Sequence, residues 1–196
     1  HNYHVLLLIP KGMEFDQIKI DNDAGTVDAH DTTLKAQNIN FKVSAGEIMA
    51  ERLETEKLKL RVGAGNADID ELKTSDADLT CGVGNIDVKL MGTEKDYNYQ
   101  VSCGVGNISI NDQDFSSLGK DKTVDHGAKK EIRLDCGVGN ITLTDDQQAN
   151  VNSAIKTQVT ETIAKAGGSE KIALDATNQA TFAATEQTMK ASATSE

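Results

Sequence analysis

The stretch Cys81-Gly82-Val83-Gly84-Asn85-Ile86 returns almost unchanged as Cys103-Gly104-Val105-Gly106-Asn107-Ile108 and as Cys136-Gly137-Val138-Gly139-Asn140-Ile141. Weaker copies precede it at Val62-Gly63-Ala64-Gly65-Asn66-Ala67, Val43-Ser44-Ala45-Gly46-Glu47-Ile48 and Asn22-Asp23-Ala24-Gly25-Thr26-Val27. The second glycines, Gly25, Gly46, Gly65, Gly84, Gly106 and Gly139, are separated by 21, 19, 19, 22 and 33 residues. A unit near twenty residues, repeated six times, points to a solenoid in which each repeat is one coil.

Aligning the copies on that glycine shows which side chains face inward. Seven residues before it stand Ile18, Ile39, Leu58, Ala77, Tyr99 and Ile132, and five before it Ile20, Phe41, Leu60, Leu79, Val101 and Leu134. Between these apolar columns lie Lys19, Asn40, Lys59, Asp78, Gln100 and Arg133, which is the period-two alternation of a strand with one buried face. After the glycine the apolar residues move to plus two (Val27, Ile48, Ala67, Ile86, Ile108, Ile141) and plus four (Ala29, Ala50, Ile69, Val88, Ile110, Leu143). The parity has flipped, so a corner or bulge is expected at the Gly-Asn pair, two residue types that tolerate left-handed backbone. The expected fold is therefore all-β: a single-stranded parallel β-solenoid of six coils, right-handed by the rule for crossover connections. Stacked at strand spacing of ~4.8 Å, six coils make a column about 25–30 Å long around a thin aliphatic core.

Residues 1–146 read as this repeat domain, with protruding loops at Met91–Asn98 and Asn111–Lys130. Residues 147–196 are rich in Ala and Thr and contain no Gly-x-Gly, so they read as a C-terminal helical cap or tail. Val151, Ile155, Val159 and Ile163 recur every four residues, one apolar stripe on a helix ending at Gly167-Gly168. Ser169-Glu170 starts either a second helix towards Thr188 or, over Lys171–Leu174, a short strand.

Composition narrows the function. Twenty Lys+Arg against 31 Asp+Glu give a formal charge of −11, which repels phosphate backbones and anionic headgroups, so no nucleic-acid partner is expected. The longest apolar run, Val5–Ile9, is far short of the ~20 residues that cross a bilayer. A membrane association is expected only through an anchor lying before His1.

The hexamers lack the third glycine of a dinucleotide fingerprint and the Lys-Ser/Thr of a phosphate loop. Calcium-binding nonapeptide repeats have a period of about nine and an earlier Asp, so coiling here should need no calcium. Asp28, Asp68 and Asp87 share an outward column, with Asp68 and Asp87 adjacent; this reads as a solvated face, not a cation site. Cys81, Cys103 and Cys136 stand where earlier copies have Val62 and Val43, so they read as reduced core residues. His1, His4, His30 and His126 have no regular spacing, and no catalytic constellation, metal set or cofactor is expected. A polysaccharide-active β-helix enzyme is the main catalytic alternative, but the outward residues Asp21, Lys42, Arg61, Thr80, Ser102 and Asp135 mix signs without clustering.

Three features carry a family resemblance: Pro10-Lys11-Gly12 after the apolar run, the Gly-x-Gly-x-Ile coils, and Asp96-Tyr97-Asn98-Tyr99 leading into Cys103–Ile108. Residues 3–146 resemble the bacterial adhesin-type family of β-strand-repeat domains of unknown function. The resemblance implies a bacterial cell-envelope or extracellular protein, held by an N-terminal membrane anchor, with a role in cell adhesion and no catalytic residues. The expected function is a non-catalytic envelope binding module whose partner is an envelope component, a glycan or a surface protein. The alternative is a structural or sensory ectodomain linked to envelope stress. Because the repeated residues are used by folding, the candidate ligand loop is the longest unrepeated stretch, with Asp112, Asp114, Phe115, Lys120, Lys122 and His126.

Overall fold

The computed structural model describes residues 5–111, 113–115 and 121–165. The chain divides into two compact units, His1–Asp145 and Asp146–Glu196. The first is almost wholly β: β1 (Glu14–Lys73), β2 (Asp76–Leu90), a 3-10 turn at Glu94–Asp96, β3 (Tyr97–Ile110), β4 (Gln113–Asp114), β5 (Lys122–Val124) and β6 (Lys130–Asp145). They form one mixed sheet in the order β1-β2-β6-β3-β4, with β5 also on β3.

The repeats stack in register and in parallel. Val62 pairs with Cys81, Cys81 with Cys136, and Cys136 with Cys103; the same holds for Ala67, Ile86, Ile141 and Ile108. The apolar columns face inward as the alternation requires. From the second repeat onward every residue of the four columns is 3% exposed or less. The rings of Phe41, Tyr97 and Tyr99 are also fully buried, so the core is not purely aliphatic.

The corner is built by two glycines acting differently. The second glycine of every copy has φ between 123° and 146°, a region closed to residues with a Cβ. The first glycine has ordinary φ but no room: a Cβ on Gly82 would lie 2.4 Å from the carbonyl oxygen of Gly63 beneath it. The asparagine that follows does not share the positive φ. It is held for another reason, an amide ladder in which Asn85 Nδ2 donates to Asn66 Oδ1 (3.2 Å) and Asn140 Nδ2 to Asn85 Oδ1 (2.9 Å). Elsewhere, the buried Thr55 hydroxyl lies 3.0 Å from the carbonyl oxygens of Gln37 and Lys57, tying one repeat to the next.

Spatial order departs from chain order, because β6, the last repeat, lies between β2 and β3. This accounts for the two long spacings. After β2 the chain passes over one strand position before starting β3, using Met91–Asp96; Met91 N–H donates to Leu72 C=O (2.9 Å) and Asp96 N–H to Thr93 C=O (3.0 Å). It must then return beneath β3 to lay down β6. Neither spacer is the protruding loop that the sequence predicts, over the residues described. Gln113–Asp114 and Lys122–Val124 pair antiparallel with the outer edge of β3. The physical reason is that β3 ends the stack, and an uncovered edge would leave its backbone N–H and C=O groups unpaired.

In the second unit, α1 runs from Asp146 to Lys165, with Asp146 in its first turn, where a carboxylate suits the helix dipole. Val151 on the expected stripe is exposed and Ile155 half-buried. The side chains of Val159 and Ile163, and everything expected from Gly167-Gly168 onward, lie outside the described residues. No described helix is long and apolar enough to cross a membrane.

Candidate functional site

Of the six candidate ligand residues, Asp112 and Lys120 lie outside the described residues. The other four, Asp114, Phe115, Lys122 and His126, all lie along the outer edge of β3, placed there by β4 and β5. Ser109 pairs with Asp114, and Val101 with Lys122. Phe115 N–H donates to Ile108 C=O (2.7 Å), and its ring is 9% exposed, closing that end of the core. Lys122 holds its ammonium 5.6 Å from the Phe115 ring centre, a cation–π approach. Asp114 Oδ1 accepts from Asn107 Nδ2 (3.1 Å), while Asn107 Oδ1 is buried without a hydrogen-bond partner, so the amide ladder stops at Asn140.

His126 is fixed by Asn98 and Tyr97. Its backbone N–H donates to Asn98 Oδ1 (2.9 Å), and its Nδ1 lies 2.8 Å from the Tyr97 carbonyl oxygen. A carbonyl can only accept, so Nδ1 carries the proton there. The ring stands edge-on to Tyr99, centroids 6.0 Å apart. Asn98 clamps the same turn twice more, accepting from Ala128 N–H (3.1 Å) and donating to Ala128 C=O (2.9 Å). Lys130 lies 5.0 Å over the Tyr97 ring.

The sequence reading missed the polar ring beneath this edge. Tyr97 Oη donates to Thr74 C=O (2.9 Å) and Tyr99 Oη to Glu94 C=O (3.1 Å). Glu94 N–H donates to the buried Asp145 Oδ2 (2.9 Å), Asn111 Nδ2 to Glu94 Oε2 (3.0 Å), and Asp145 N–H to Asn111 Oδ1 (2.9 Å). Burial pushes the phenols of Tyr97 and Tyr99 up from their ordinary range, so both act here as hydrogen-bond donors. Only Asn111, with φ 51°, hints at the site from its residue type. The arrangement fastens an edge: each described candidate side chain already has a partner within the fold.

The remaining chemistry-bearing residues are spread along the stack. Cys81, Cys136 and Cys103 form a buried row of free thiols. Burial raises Cys81, and it pushes Cys136, flanked by the other two, up to about 12. Thiols held in this form are poor nucleophiles. Asp87 is likewise raised, first by burial and then by Asp68 beside it, while Lys89 donates to Asp70 at 2.9 Å and so places a cation in that acidic column. Of the outward residues expected to mix signs, Lys42 pairs with Asp21 at 3.2 Å. Among the described residues no group of three His, Cys, Asp or Glu side chains is arranged to hold a metal ion.

The corner row is a regular exposed surface. Val83, Val138 and Val105 are 55%, 49% and 58% exposed, side by side in register and flanked by the glycine rows and the asparagine ladder. Compared with protein families, the chain matches the model of Toastrack DUF4097 over residues 6–122. No curated protein and no solved structure matches it.

Proposed function

Because the chain belongs to the Toastrack DUF4097 family, domains of unknown function with a solenoid-like β fold, we propose that it is a non-catalytic binding module of the bacterial cell envelope. The finer fold reading is a right-handed parallel β-solenoid. The observation that carries the functional reading is the corner row, where identical valines and asparagines repeat at strand spacing on a rigid backbone. In a chain of charge −11, this uncharged ridge is suited to a repetitive, weakly charged surface such as a glycan or cell-wall polymer. Adhesion and an extracellular position belong to the same proposal and are supported by the resemblance of the Gly-x-Gly-x-Ile coils to adhesin-type domains.

The test is an array of glycans and purified cell-wall fractions probed with the whole chain. Saturable binding to at least one component is expected, with at least tenfold loss in Val138→Asp while the far-UV circular dichroism is unchanged. Absence of any ligand, or turnover of a polysaccharide, overturns the reading.

A further inference from the structure

The two ends of the stack finish differently. At one end β4 and β5 cover the edge of β3, and Phe115 closes the core. At the other end, among the described residues, nothing stacks beneath the first repeat of β1. The glycine column measures this directly. A Cβ built on Gly46, Gly65, Gly84, Gly139 or Gly106 would meet the glycine carbonyl oxygen of the repeat that precedes it in the stack at 1.8–2.0 Å. At Gly25 the nearest atom is Asn22 Nδ2, 3.7 Å away.

The side chains of that repeat are unfinished in the same way. Phe15, Ile18, Ile20, Val27 and Ala29 pack against the core yet remain only partly buried. The next segment upstream adds to this apolar surface. Ile9 also touches the core, while Val5, Leu6, Leu7 and Leu8 are 94%, 84%, 75% and 83% exposed. The edge is also strongly acidic, with Glu14, Asp16, Asp21, Asp23, Asp28 and Asp31 against Lys19 alone. The second repeat, which occupies the inner side of this strand, shows what such an edge accepts. It sets Lys35 against Glu14 and Lys42 against Asp21.

We propose that the open edge of the first repeat receives a β-strand from a partner protein, with apolar side chains turned to the core and lysine or arginine turned outward. Such a strand pairs the free backbone groups of residues 14–32, completes the burial of Phe15, Ile18, Ile20, Val27 and Ala29, and sets cations over Asp16, Asp23 and Asp28. This is strand addition, in which backbone hydrogen bonds give affinity and alternate side chains give specificity. A second copy of this chain fits poorly. Its far end is closed by β4 and β5, and two first repeats edge to edge would set six carboxylates against six. The proposal concerns a different surface from the corner row and stands whether or not that row binds an envelope component.

The probe is a fluorescent peptide alternating Lys and Val over nine residues, compared with a Glu-Val peptide and a block-scrambled Lys/Val peptide, all titrated into the whole chain. The alternating Lys peptide is expected to bind, to slow hydrogen exchange within residues 14–32, and to weaken as salt is raised; the Glu peptide should bind at least tenfold more weakly. The triple variant Asp16→Lys, Asp23→Lys, Asp28→Lys, with all three positions exposed, should reverse that preference with little change in melting temperature. Three results would each overturn the proposal: no binding, equal binding of the scrambled peptide, or protection confined to other residues. If the variant does not fold, the exchange map of the native chain with the two charged peptides decides alone. Self-association through residues 14–32 in sedimentation would likewise refute a partner strand.

Discussion

Replacing Gly84 by Ala, set against the same change at Gly25, isolates what the stacking contributes. Both glycines have φ near +130°, 135° and 123°, so both substitutions carry the backbone strain of a side chain in a glycine-only region, about 1–3 kcal/mol. Only Gly84 adds a collision, because its Cβ would sit 1.8 Å from the Gly65 carbonyl oxygen, 2.8 Å from that carbon and 3.1 Å from that nitrogen. Real Cβ contacts stop near 3.0 Å, so the two repeats must part by about 1.2 Å, a quarter of the ~4.8 Å strand spacing. An N–H···O bond stretched that far is lost, and two or three lost bonds cost about 0.5–1.5 kcal/mol each. Gly84→Ala should therefore cost about 1–4.5 kcal/mol more than Gly25→Ala, which carries the strain of about 1–3 kcal/mol alone. Urea denaturation followed by far-UV circular dichroism reads both. Equal midpoints, or a larger loss at Gly25, would refute the argument that the carbonyl row sets the requirement for glycine.

Ile108→Ala removes a fully buried side chain and should cost about 2–5 kcal/mol, seen as a lowered denaturation midpoint; an unchanged midpoint would show the inward column misplaced. Tyr97→Phe leaves the Thr74 carbonyl without its donor in a buried setting and should cost about 1–3 kcal/mol by the same assay. The thiol row predicts an alkaline loss of stability. Cys136 titrates near 8.5 when unfolded and about 12 when folded, so the folded state keeps its proton longer; stability is full below ~8.5 and falls as pH rises towards 12. Cys136→Val, the residue type the column uses at Val62, should flatten that fall in denaturation midpoints taken from pH 8 to 11, and an unaltered slope would contradict the assignment.

The inward columns, the corner glycines and the core role of the cysteines were legible because each repeats, and repetition averages out local accident. The order of the repeats was not. Cys103–Ile108 and Cys136–Ile141 are identical hexamers, and a hexamer cannot state which neighbour it stacks against. What distinguishes them is Tyr97, Tyr99 and Asn111, residue types that no other copy has at those positions. The reading of Asn111–Lys130 as a protruding loop departs from the structure for the same reason. A long unrepeated stretch between coils reads as a free loop only if consecutive repeats are neighbours; once β6 lies inside β3, the stretch must cover an edge, and Phe115 and His126 serve it. By residue type the asparagines read as backbone freedom, whereas the amides of Asn66, Asn85 and Asn140 form a ladder that no single repeat displays.

The insertion of β6 between β2 and β3 also bears on how the chain acquires its structure. A simple repeat array can zip from one end, each unit docking on the one made before it. Here β3 is synthesised before its permanent neighbour, and the only docked surface it meets is β2, whose matching hexamer offers a fully compatible but wrong seat. Folding during synthesis therefore has either to wait for residues 130–145 or to undo a mispaired β3, and the final steps carry the long-range closure that slows β topologies. A variant with β3 and β6 exchanged in chain order, so that every repeat docks on its predecessor, should refold faster while reaching the same sheet.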